Sequence, residues 1–522
     1  MKRILLLLLI SVITIINVNA QSINVLEGAQ IKSKMQIISI VGDFNKEVLL
    51  LMYQKKKYFL RSYNEKLEPQ KIEEIPLEYK GKRMSLTSVI KLERRLFVLS
   101  TFNNNKKNKT YLLYREFDPK TLKPKGKLSV MGEIPYKSRY DKGDFAIIYS
   151  QNRQRILLYH ILPYNKGGQQ KLAFAVLDTN LKTLWKEDIT LPYRDNLFVV
   201  MDFELDDEGN VYVVGKKYRG KNKDVLNGRI NFEYIILGYF DQGNEEREYK
   251  LDAGRKFITD LQLAVDNNMN LICAGLYTDG KNPYTVSGSF LLKIDYKSGD
   301  VTTSEFHKFD MDFLTSLLTE KKKEKKKKKA AKNKKEKDRA FYNYDLRNLI
   351  LRDDGGVMLI GERAYYSIVS SYNASTHSYT STYYYYREPI LVVNYNPDGT
   401  VKWEKLVPKW QVQINATSYL SFIPAVFDDK VIFFYNDNVE NSHIKNPVQY
   451  RMYKPSIKKT DFIAYSIDSN GETERIKLFN MTKLENIVVP TKSKQLDESG
   501  DIILFLRYGK RQRLMRISFS DD

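Results

Sequence analysis

The feature that most constrains the fold is a repeated unit of strand, polar turn and strand. The clearest copy is "ELDDEGNVYVVGKKYRG" at 204–220, where a turn at Asp207 to Asn210 leads into an alternating strand, Val211 to Val214, that ends at Gly215. The same design recurs along the chain, so a self-stacking all-β architecture is expected. The other seven copies lie at 41–53, 90–102, 148–160, 264–280, 351–366, 426–437 and 496–509.

A second strand–turn–strand segment follows these copies, as in "KLAFAVLDTNLKTLWKEDITLP" (171–192) and "PILVVNYNPDGTVKWEKLVPK" (389–409). The Asp-Gly and Asn-Gly steps in such segments supply the positive φ that tight hairpin turns need. Each full unit therefore holds four antiparallel strands. The pattern predicts a β-propeller of about eight four-stranded blades, or seven if one weak copy is not a blade, and it fits a solenoid poorly.

The last unit lacks its fourth strand, because the chain ends after "DIILFLRYG" and "RQRLMRISFS". An unassigned segment, "SINVLEGAQI" (22–31), precedes the first unit, whose opening strand is predicted at Met35 to Val41. We expect this N-terminal segment to complete the last blade and close the ring, because closure hides the sheet edges.

Residues 1–20 have the organisation of a secretory signal peptide. Lys2 and Arg3 precede an apolar stretch from Ile4 to Ile16, and Ala20 ends a small-residue cleavage site. The propeller is then expected to span 21–522. No cysteine lies directly after the apolar stretch, where a lipidation site would be, so we predict an exported protein of the periplasm or outer membrane that is not a lipoprotein. The single cysteine, Cys273, lies in "NLICAGL" and is predicted to be a small buried apolar residue.

A lysine-rich insertion at 312–343 dominates the charge of the chain. Its segment from Lys321 to Arg339 holds twelve lysines and one arginine against three acidic residues, so it carries +10 of the net +22. An exported protein does not normally meet nucleic acid, and none is expected as a partner. The insertion is predicted to be a short basic helix on an apolar root, either solvated or in contact with an acidic partner or an anionic membrane surface. The lysines assigned to that contact are Lys325, Lys326, Lys327, Lys328 and Lys329.

A tyrosine-rich segment at 363–389 lies in the same inter-blade interval, and both features are expected to decorate one side of the ring. It combines eight tyrosines with Ser, Thr and Asn, a composition found in adaptable binding loops, although a long hairpin extending one blade is the alternative. The candidate binding residues are Tyr365, Tyr366, Tyr372, Tyr379, Tyr383, Tyr384, Tyr385, Tyr386 and Arg387.

Signals for chemistry are sparse. The four histidines form no close ligand pair, and the chain has no Gly-x-Ser-x-Gly elbow and no P-loop. Asp206 and Asp207 do not continue into a complete calcium loop and are interpreted as turn residues. We therefore predict no catalytic residue, no metal site and no cofactor. Paired carboxylates drawn from distant blades would leave no trace in sequence spacing, so glycoside cleavage stays open.

Short motifs carry a family resemblance. "DDEGNVYVVG" resembles a bacterial β-propeller repeat, and "AVLDTNLKTLW" and "VVNYNPDGTVKW", with Trp185 and Trp403 at matching places, are similar to the tryptophan-docking repeats of quinoprotein-like propellers. Quinoprotein dehydrogenases of that superfamily bind a quinone and calcium, but this chain lacks the matching acidic and cysteine-pair cluster. The resemblance therefore implies a non-enzymatic envelope propeller, and the Lys-, Asn-, Ile- and Tyr-rich composition resembles that of envelope proteins of the Bacteroidota.

Two functions follow as hypotheses. The first is a non-catalytic exported propeller that acts as a protein-interaction scaffold in the cell envelope, as part of an outer-membrane or secretion assembly. The alternative is a glycan-binding or glycan-cleaving propeller that uses central carboxylates and the tyrosines.

Overall fold

The protein is all-β, as predicted. The computed structural model describes residues 13–18, 21–138, 142–280, 282–333, 341–373, 375 and 377–521. Within these ranges, eight antiparallel sheets of four or more strands follow one another, and we number them 1 to 8 along the chain. The strands of sheets 1 to 4, in hydrogen-bonded order, are Gln36–Phe44, Glu47–Gln54, Lys57–Tyr63 and Pro69–Glu74; Ser85–Leu92, Arg95–Asn104, Lys109–Phe117 and Pro124–Pro135; Ala146–Tyr149, Ile156–Leu162, Gln169–Leu177 and Thr183–Arg194; and Phe198–Leu205, Val211–Tyr218, Phe232–Phe240 and Glu245–Lys250.

Sheets 5 to 8 continue the same up-and-down order. Their strands are Phe257–Val265, Leu271–Thr278, Gly288–Ile294 and Val301–Lys308; Tyr344–Leu351, Val357–Asn373, Ser378–Tyr395 and Val401–Val407; Ile423–Phe427, Lys430–Asn438, Thr460–Ile467 and Thr473–Asn480; and Ile487–Val488, Ile502–Tyr508, Arg511–Asp521 and Gln21–Glu27.

The remaining elements lie in connections or at sheet edges. The further strands are Ile13–Val18, Ile31–Lys32, Glu78–Tyr79, Lys82–Arg83, Val225–Leu226, Arg229–Ile230, Thr285–Val286, Phe341–Tyr342, Gln411–Ile414 and Lys494–Gln495. The α-helices are Met311–Thr315, Glu320–Asn333 and Met481–Leu484, and the 3₁₀-helices are Asp241–Gly243, Val439–His443, Pro447–Gln449, Ile457–Lys459 and Pro490–Lys492.

The second strands of the sheets are buried on both faces, which the expectation of an alternating strand at Val211 to Val214 missed. All four of these residues are buried, because sheet 4 is packed between sheets 3 and 5. The expected end of this strand at Gly215 is also wrong, since the strand continues to Tyr218. A Cβ at position 215 would lie 2.1 Å from the ring of Phe198, so glycine here makes room for a packed ring and does not end the strand.

The hydrophobic core is divided into layers between sheets. Seven clusters of buried residues each combine side chains from two consecutive sheets, from sheets 1 and 2 through to sheets 7 and 8. An eighth cluster joins sheet 8 to sheet 1 by packing Ile503 and Phe505 with Ile37 and Leu50. Cys273 is fully buried within the layer between sheets 4 and 5, as the sequence predicted, and burial raises the pKa of its thiol to about 12.

The N-terminal segment pairs with the last strand of the chain. Gln21–Glu27 runs antiparallel to Arg511–Asp521, with Ile23 opposite Phe519 and Val25 opposite Ile517. It thus supplies the fourth strand of sheet 8. Ile13–Val18, in the predicted signal peptide, pairs in turn with Gln21–Glu27. The rest of that peptide, residues 1–12 and 19–20, lies outside the described residues.

Two tryptophans join the fourth strand of one sheet to a turn of the next. The indole N–H of Trp185, in sheet 3, donates to the carbonyl of Gly209 in sheet 4 at 3.0 Å. The indole N–H of Trp403, in sheet 6, donates to the carbonyl of Ser469 in sheet 7 at 3.1 Å. These contacts give the two motif tryptophans the same structural task, which is to lock neighbouring sheets together.

Candidate functional site

The tyrosine-rich segment forms a hairpin that projects beyond sheet 6. Its strands, Val357–Asn373 and Ser378–Tyr395, are 17 and 18 residues long. Tyr344–Leu351 pairs with the first of them only up to Arg363, so the chain from 364 onward leaves the four-stranded sheet. Gln411–Ile414 adds a short third strand beside Tyr384–Arg387. We call residues 363–389 the tyrosine hairpin.

One face of this hairpin is an exposed row of aromatic rings. In the antiparallel register, Tyr366 is opposite Tyr385, Ile368 is opposite Tyr383, and Tyr372 is opposite Tyr379. Directly opposite residues share a face, so these side chains form one surface. The exposed fractions are 61 % for Tyr366, 52 % for Tyr372 and 76 % for Tyr379. We call this surface the tyrosine face, and it comprises Tyr366, Ile368, Tyr372, Tyr379, Tyr383 and Tyr385.

The opposite face of the hairpin is fixed by contacts within the protein near the root, whereas Val369, farther out on this face, is 55 % exposed. The rings of Tyr365 and Tyr386 are stacked with their centroids 4.7 Å apart. The Tyr365 hydroxyl donates to Glu388 Oε1 at 2.6 Å, and Arg363 pairs with Glu388 Oε2 at 2.6 Å. Tyr384 is half-buried on this side. The eight tyrosines assigned by sequence are thus divided between the two faces of the hairpin, and on the tyrosine face all but the half-buried Tyr385 are exposed.

The root of the hairpin contains a buried cluster of charges. The Glu362 side chain is fully buried, and its carboxylate lies 2.8 Å from Lys409 Nζ and 2.8 Å from the Arg347 guanidinium. Ser421 donates to the same carboxylate at 3.0 Å, and Arg387 Nε lies 3.5 Å from it. Burial alone would raise the pKa of Glu362, but the surrounding cations outweigh burial and lower it. Arg387, a predicted binding residue, therefore also holds the hairpin root.

A chain of amide contacts ties this root to the two sheets that follow. Lys409 Nζ lies 3.4 Å from Gln411 Oε1, and Gln411 Nε2 donates to the carbonyl of Asn436 at 2.9 Å. Asn436 Nδ2 donates to the carbonyl of Val488 at 2.9 Å. Sheets 6, 7 and 8 are thereby connected by buried polar contacts, and a hairpin anchored in this way has a defined direction.

The basic insertion is attached to the protein beside the root of the tyrosine hairpin. It leads into Tyr344, which pairs with Arg363 at the point where the hairpin leaves sheet 6. The apolar root begins with the helix Met311–Thr315, in which Leu314 is buried and Phe313 packs on Phe309 and Phe341. Both predicted decorations therefore lie at the same edge of the sheet.

The helix Glu320–Asn333 carries the predicted lysines. Lys325 is exposed and Lys326 is half-buried. Lys327 pairs with Asp312 at 2.5 Å, and Lys328 lies 3.8 Å from Glu324. The Lys329 side chain and residues 334–340 are outside the described part of the chain. The helix is almost uniformly basic around its circumference, so a broad anionic surface would suit it better than a single acidic group.

Several cavities lie away from this edge, and two of them contain a Glu or His with a shifted pKa. One, of about 280 Å³, is lined by Glu204, Asp206, Asp207 and Asp266 among others. Burial and the neighbouring aspartates raise the pKa of Glu204 to about 8. Asp206 is a turn residue as predicted, since its Oδ1 accepts from the backbone N–H of Gly209 and of Asn210.

The second cavity, of about 540 Å³, lies between sheets 2 and 3. His160 borders it, with its ring 5.0 Å from that of Phe145 in an edge-on arrangement. His160 is buried, and its Nε2 has no hydrogen-bond partner among the described residues. Desolvation lowers the pKa of His160 to about 4, so the ring is neutral at physiological pH.

Sequence reasoning missed Glu362, Arg347 and Lys409. Glu362 falls in "LIGERAYY", where a charge in a buried strand is the one available signal, and Lys409 has none. Three side chains from separate elements meet only in the folded chain, so no local pattern announces them. In the described parts of the chain, no group of three His, Cys, Asp or Glu residues could hold a metal ion, and no helix is long and apolar enough to cross a membrane.

Comparison with known proteins leaves the family open. No family model matches the chain, and no curated protein matches it. Among solved structures, the chain is similar to the WD40 domain of SCAP from fission yeast, with 10 % identity, 98 % of each chain covered and a TM-score of 0.40. It is also similar to the β-propeller domain of the Trilobed protease from Pyrococcus furiosus, with 9 % identity, 85 % of this chain and 96 % of that chain covered and a TM-score of 0.34.

A third similar structure is prolyl oligopeptidase B from Galerina marginata, with 8 % identity, 91 % of this chain and 55 % of that chain covered and a TM-score of 0.38. These three TM-scores are all below 0.5. The description of the fold therefore rests on the strand pairing and core layers given above, and the activities of these proteins are not transferred to this chain.

Proposed function

We propose that this protein is a non-catalytic β-propeller scaffold that binds a protein partner through its tyrosine face. The observation that carries the proposal is the exposure of Tyr366, Tyr372 and Tyr379 on one face of a hairpin that is anchored at its root. Tyrosine is enriched in protein interfaces, and a rigid ring provides contact area at low entropic cost. Residues 364–386 include no Asp, Glu, Lys or Arg, so partner binding there would desolvate no charged side chain of the hairpin.

The proposed architecture is a closed ring of eight blades. It is supported by the eight sheets, by the core layer that packs Ile503 and Phe505 of sheet 8 against sheet 1, and by the pairing of Gln21–Glu27 with the last strand. In this ring the first and last parts of the chain share one blade, which leaves the ring without an unpaired seam.

The proposed compartment is the cell envelope, in the periplasm or at the outer membrane, within an outer-membrane or secretion assembly of a member of the Bacteroidota. The signal-peptide pattern of residues 1–20 and the composition of the chain support it. In this setting the helix Glu320–Asn333 contacts an acidic partner or an anionic membrane surface beside the hairpin.

The test compares partner capture by matched variants. Tyr366, Tyr372 and Tyr379 are replaced together by serine, and Tyr284→Ser serves as a control because Tyr284 is 62 % exposed but lies outside the hairpin. We expect partners that co-purify with the wild-type protein and crosslink to position 379 to be lost from the triple variant. The same partners should be retained by Tyr284→Ser. Equal recovery with all three proteins would refute the tyrosine face as the binding site.

The alternative, a glycan-cleaving propeller, is favoured by one observation. Glu204 has a pKa raised to about 8, so its carboxyl keeps a proton at neutral pH, as a general acid in glycoside cleavage must. Release of reducing sugar from envelope polysaccharides, abolished by Glu204→Gln and retained in the triple serine variant, would establish this function in place of the first.

A further inference from the structure

The edge of sheet 8 differs from the edges of the other seven sheets. The fourth strands of sheets 1 to 7 each carry at least two charged residues, whereas Gln21–Glu27 carries only Glu27. Charged side chains, lysine above all, prevent an edge strand from pairing with other chains. Gln21–Glu27 lacks this protection, although it is firmly held in the protein through the buried Ile23 and Val25.

The chain itself covers this edge in the described structure. Ile13–Val18 pairs antiparallel with Gln21–Glu27 over six residues, from Ile13 opposite Leu26 to Val18 opposite Gln21. The covering sequence, "ITIINV", is uncharged and consists mainly of β-branched residues, which favour strands. The predicted cleavage after Ala20 falls between the two strands, so processing would remove the cover and leave the edge open.

We infer that the mature protein has a second interaction site, at the open edge of Gln21–Glu27, which takes up an uncharged, β-branched strand from a partner protein. The partner strand pairs antiparallel in the place of Ile13–Val18, by main-chain hydrogen bonds of the kind used in strand-addition complexes. This site goes beyond the tyrosine face and depends on the proposed removal of residues 1–20.

The first measurement is the intact mass of the protein isolated from its native envelope. We expect the mass of a chain whose first residue is Gln21. Retention of residues 13–18 would leave the edge covered and would overturn the inference, while leaving the tyrosine face untouched.

The second measurement is binding of a fluorescent peptide to the purified mature chain, 21–522, followed by fluorescence anisotropy. The peptide carries "ITIINV" with a two-lysine tail for solubility, and the control peptide replaces Ile15 by proline, which lacks the main-chain donor. We expect saturable binding of the first peptide and a Kd raised by about tenfold, or 1.4 kcal/mol, for the second.

Variants of the protein distinguish pairing of the peptide with the edge strand Gln21–Glu27 from nonspecific binding of the peptide elsewhere. Asn24→Lys places a lysine on the open edge, and Ile72→Lys places one on the fourth strand of sheet 1, where Ile72 is 45 % exposed. Asn24→Lys should weaken peptide binding by about tenfold, and Ile72→Lys should leave it unchanged. Equal binding by both variants, or self-association of the mature chain that the peptide blocks, would overturn the partner-strand inference. The triple serine variant of the tyrosine face should bind the peptide normally.

Discussion

The indole N–H of Trp185 crosses the boundary between sheets 3 and 4 to donate to the carbonyl of Gly209 at 3.0 Å. Trp185 is buried, and Gly209, with φ +96°, lies beside the indole nitrogen in the turn between the first two strands of sheet 4. Replacing Trp185 with Phe keeps an aromatic ring but removes the donor, so we expect the protein to lose about 1 kcal/mol of unfolding free energy. Urea unfolding followed by tyrosine fluorescence measures the loss, and Trp403→Phe should behave alike. Unchanged unfolding midpoints for both would show that the two hydrogen bonds do not stabilise the fold.

Gly471 lies against the indole of Trp403. Its φ is +83°, and a Cβ there would lie 3.0 Å from Trp403 Cγ. Gly471→Ala should therefore destabilise the protein by backbone strain and by displacing the indole. Gly500→Ala is the matched control, because Gly500 has φ +70° but nothing within 4 Å of the added carbon. We expect Gly500→Ala to lose about 1 kcal/mol of unfolding free energy, because alanine is disfavoured in the left-handed backbone conformation. Gly471→Ala should lose more. Equal losses would mean that the tryptophan moves away without cost.

His160 should make stability depend on acid. Its folded pKa is about 4, below the ordinary value near 6.5, so the unfolded chain binds more protons between these values. The stabilisation is complete above pH 6.5 and is lost as the pH falls towards 4, amounting to about 3 kcal/mol in all. His160→Leu should flatten this part of the pH–stability curve. Thermal unfolding between pH 7 and 4 is the measurement.

His307 serves as a control because its contribution to stability depends on pH in the opposite direction. Its Nε2 lies 2.8 Å from Glu404 Oε2, and this carboxylate raises the pKa of His307. That contribution is complete below pH 6.5 and disappears as the pH rises through the raised value. We expect the stability of His307→Asn to fall more steeply with decreasing pH than that of the wild-type protein. If His307→Asn lost the acid-dependent destabilisation as His160→Leu does, the assignment of that effect to His160 would be contradicted.

Lys409 should be essential for the order of the tyrosine hairpin. Lys409→Met leaves the fully buried Glu362 without its ammonium partner, and breaking a buried ion pair in this way costs about 3 kcal/mol. Amide hydrogen exchange in residues 364–386 should become faster. Lys308→Met is the control, because Lys308 pairs with Asp279 at the surface, where a pair is worth little. Identical exchange in the two variants would exclude the buried cluster as the anchor of the hairpin.

The basic helix should be dispensable for folding and required for anionic contacts. Replacing residues 320–333 with a Gly-Ser linker should leave the thermal midpoint unchanged, because its lysines are mainly exposed while the apolar root at Leu314 is kept. Co-sedimentation with anionic vesicles, or recovery of an acidic partner, should fall, and raising salt from roughly 0.1 to 0.5 M should have the same effect. A variant with arginine in place of each lysine should retain the contact. Loss of folding would place the helix in the core.

Sequence patterns predicted the repeated strand–turn–strand units, but they missed contacts that form once, between residues distant in the sequence. The turn at Asp207 to Asn210 was predicted because Asp, Gly and Asn are selected there by local backbone geometry. The tyrosine hairpin was anticipated as one of two forms, but its division into an exposed face and a packed face depends on register. Glu362 and Lys409 are far apart in sequence and meet in the fold, so their pairing had no local signal.

The pairing of Asn24 with Ser518 across sheet 8 has a consequence for the order of events during synthesis. Gln21–Glu27 is synthesised long before Arg511–Asp521, the strand with which it pairs in sheet 8, and therefore has to wait for it. Seven sheets can form from neighbouring segments as they emerge, whereas the eighth depends on the longest-range strand pairing among the described residues, which is slow to form. If the chain is exported unfolded, the completion of sheet 8 therefore belongs to the far side of the membrane, after Arg511–Asp521 has crossed.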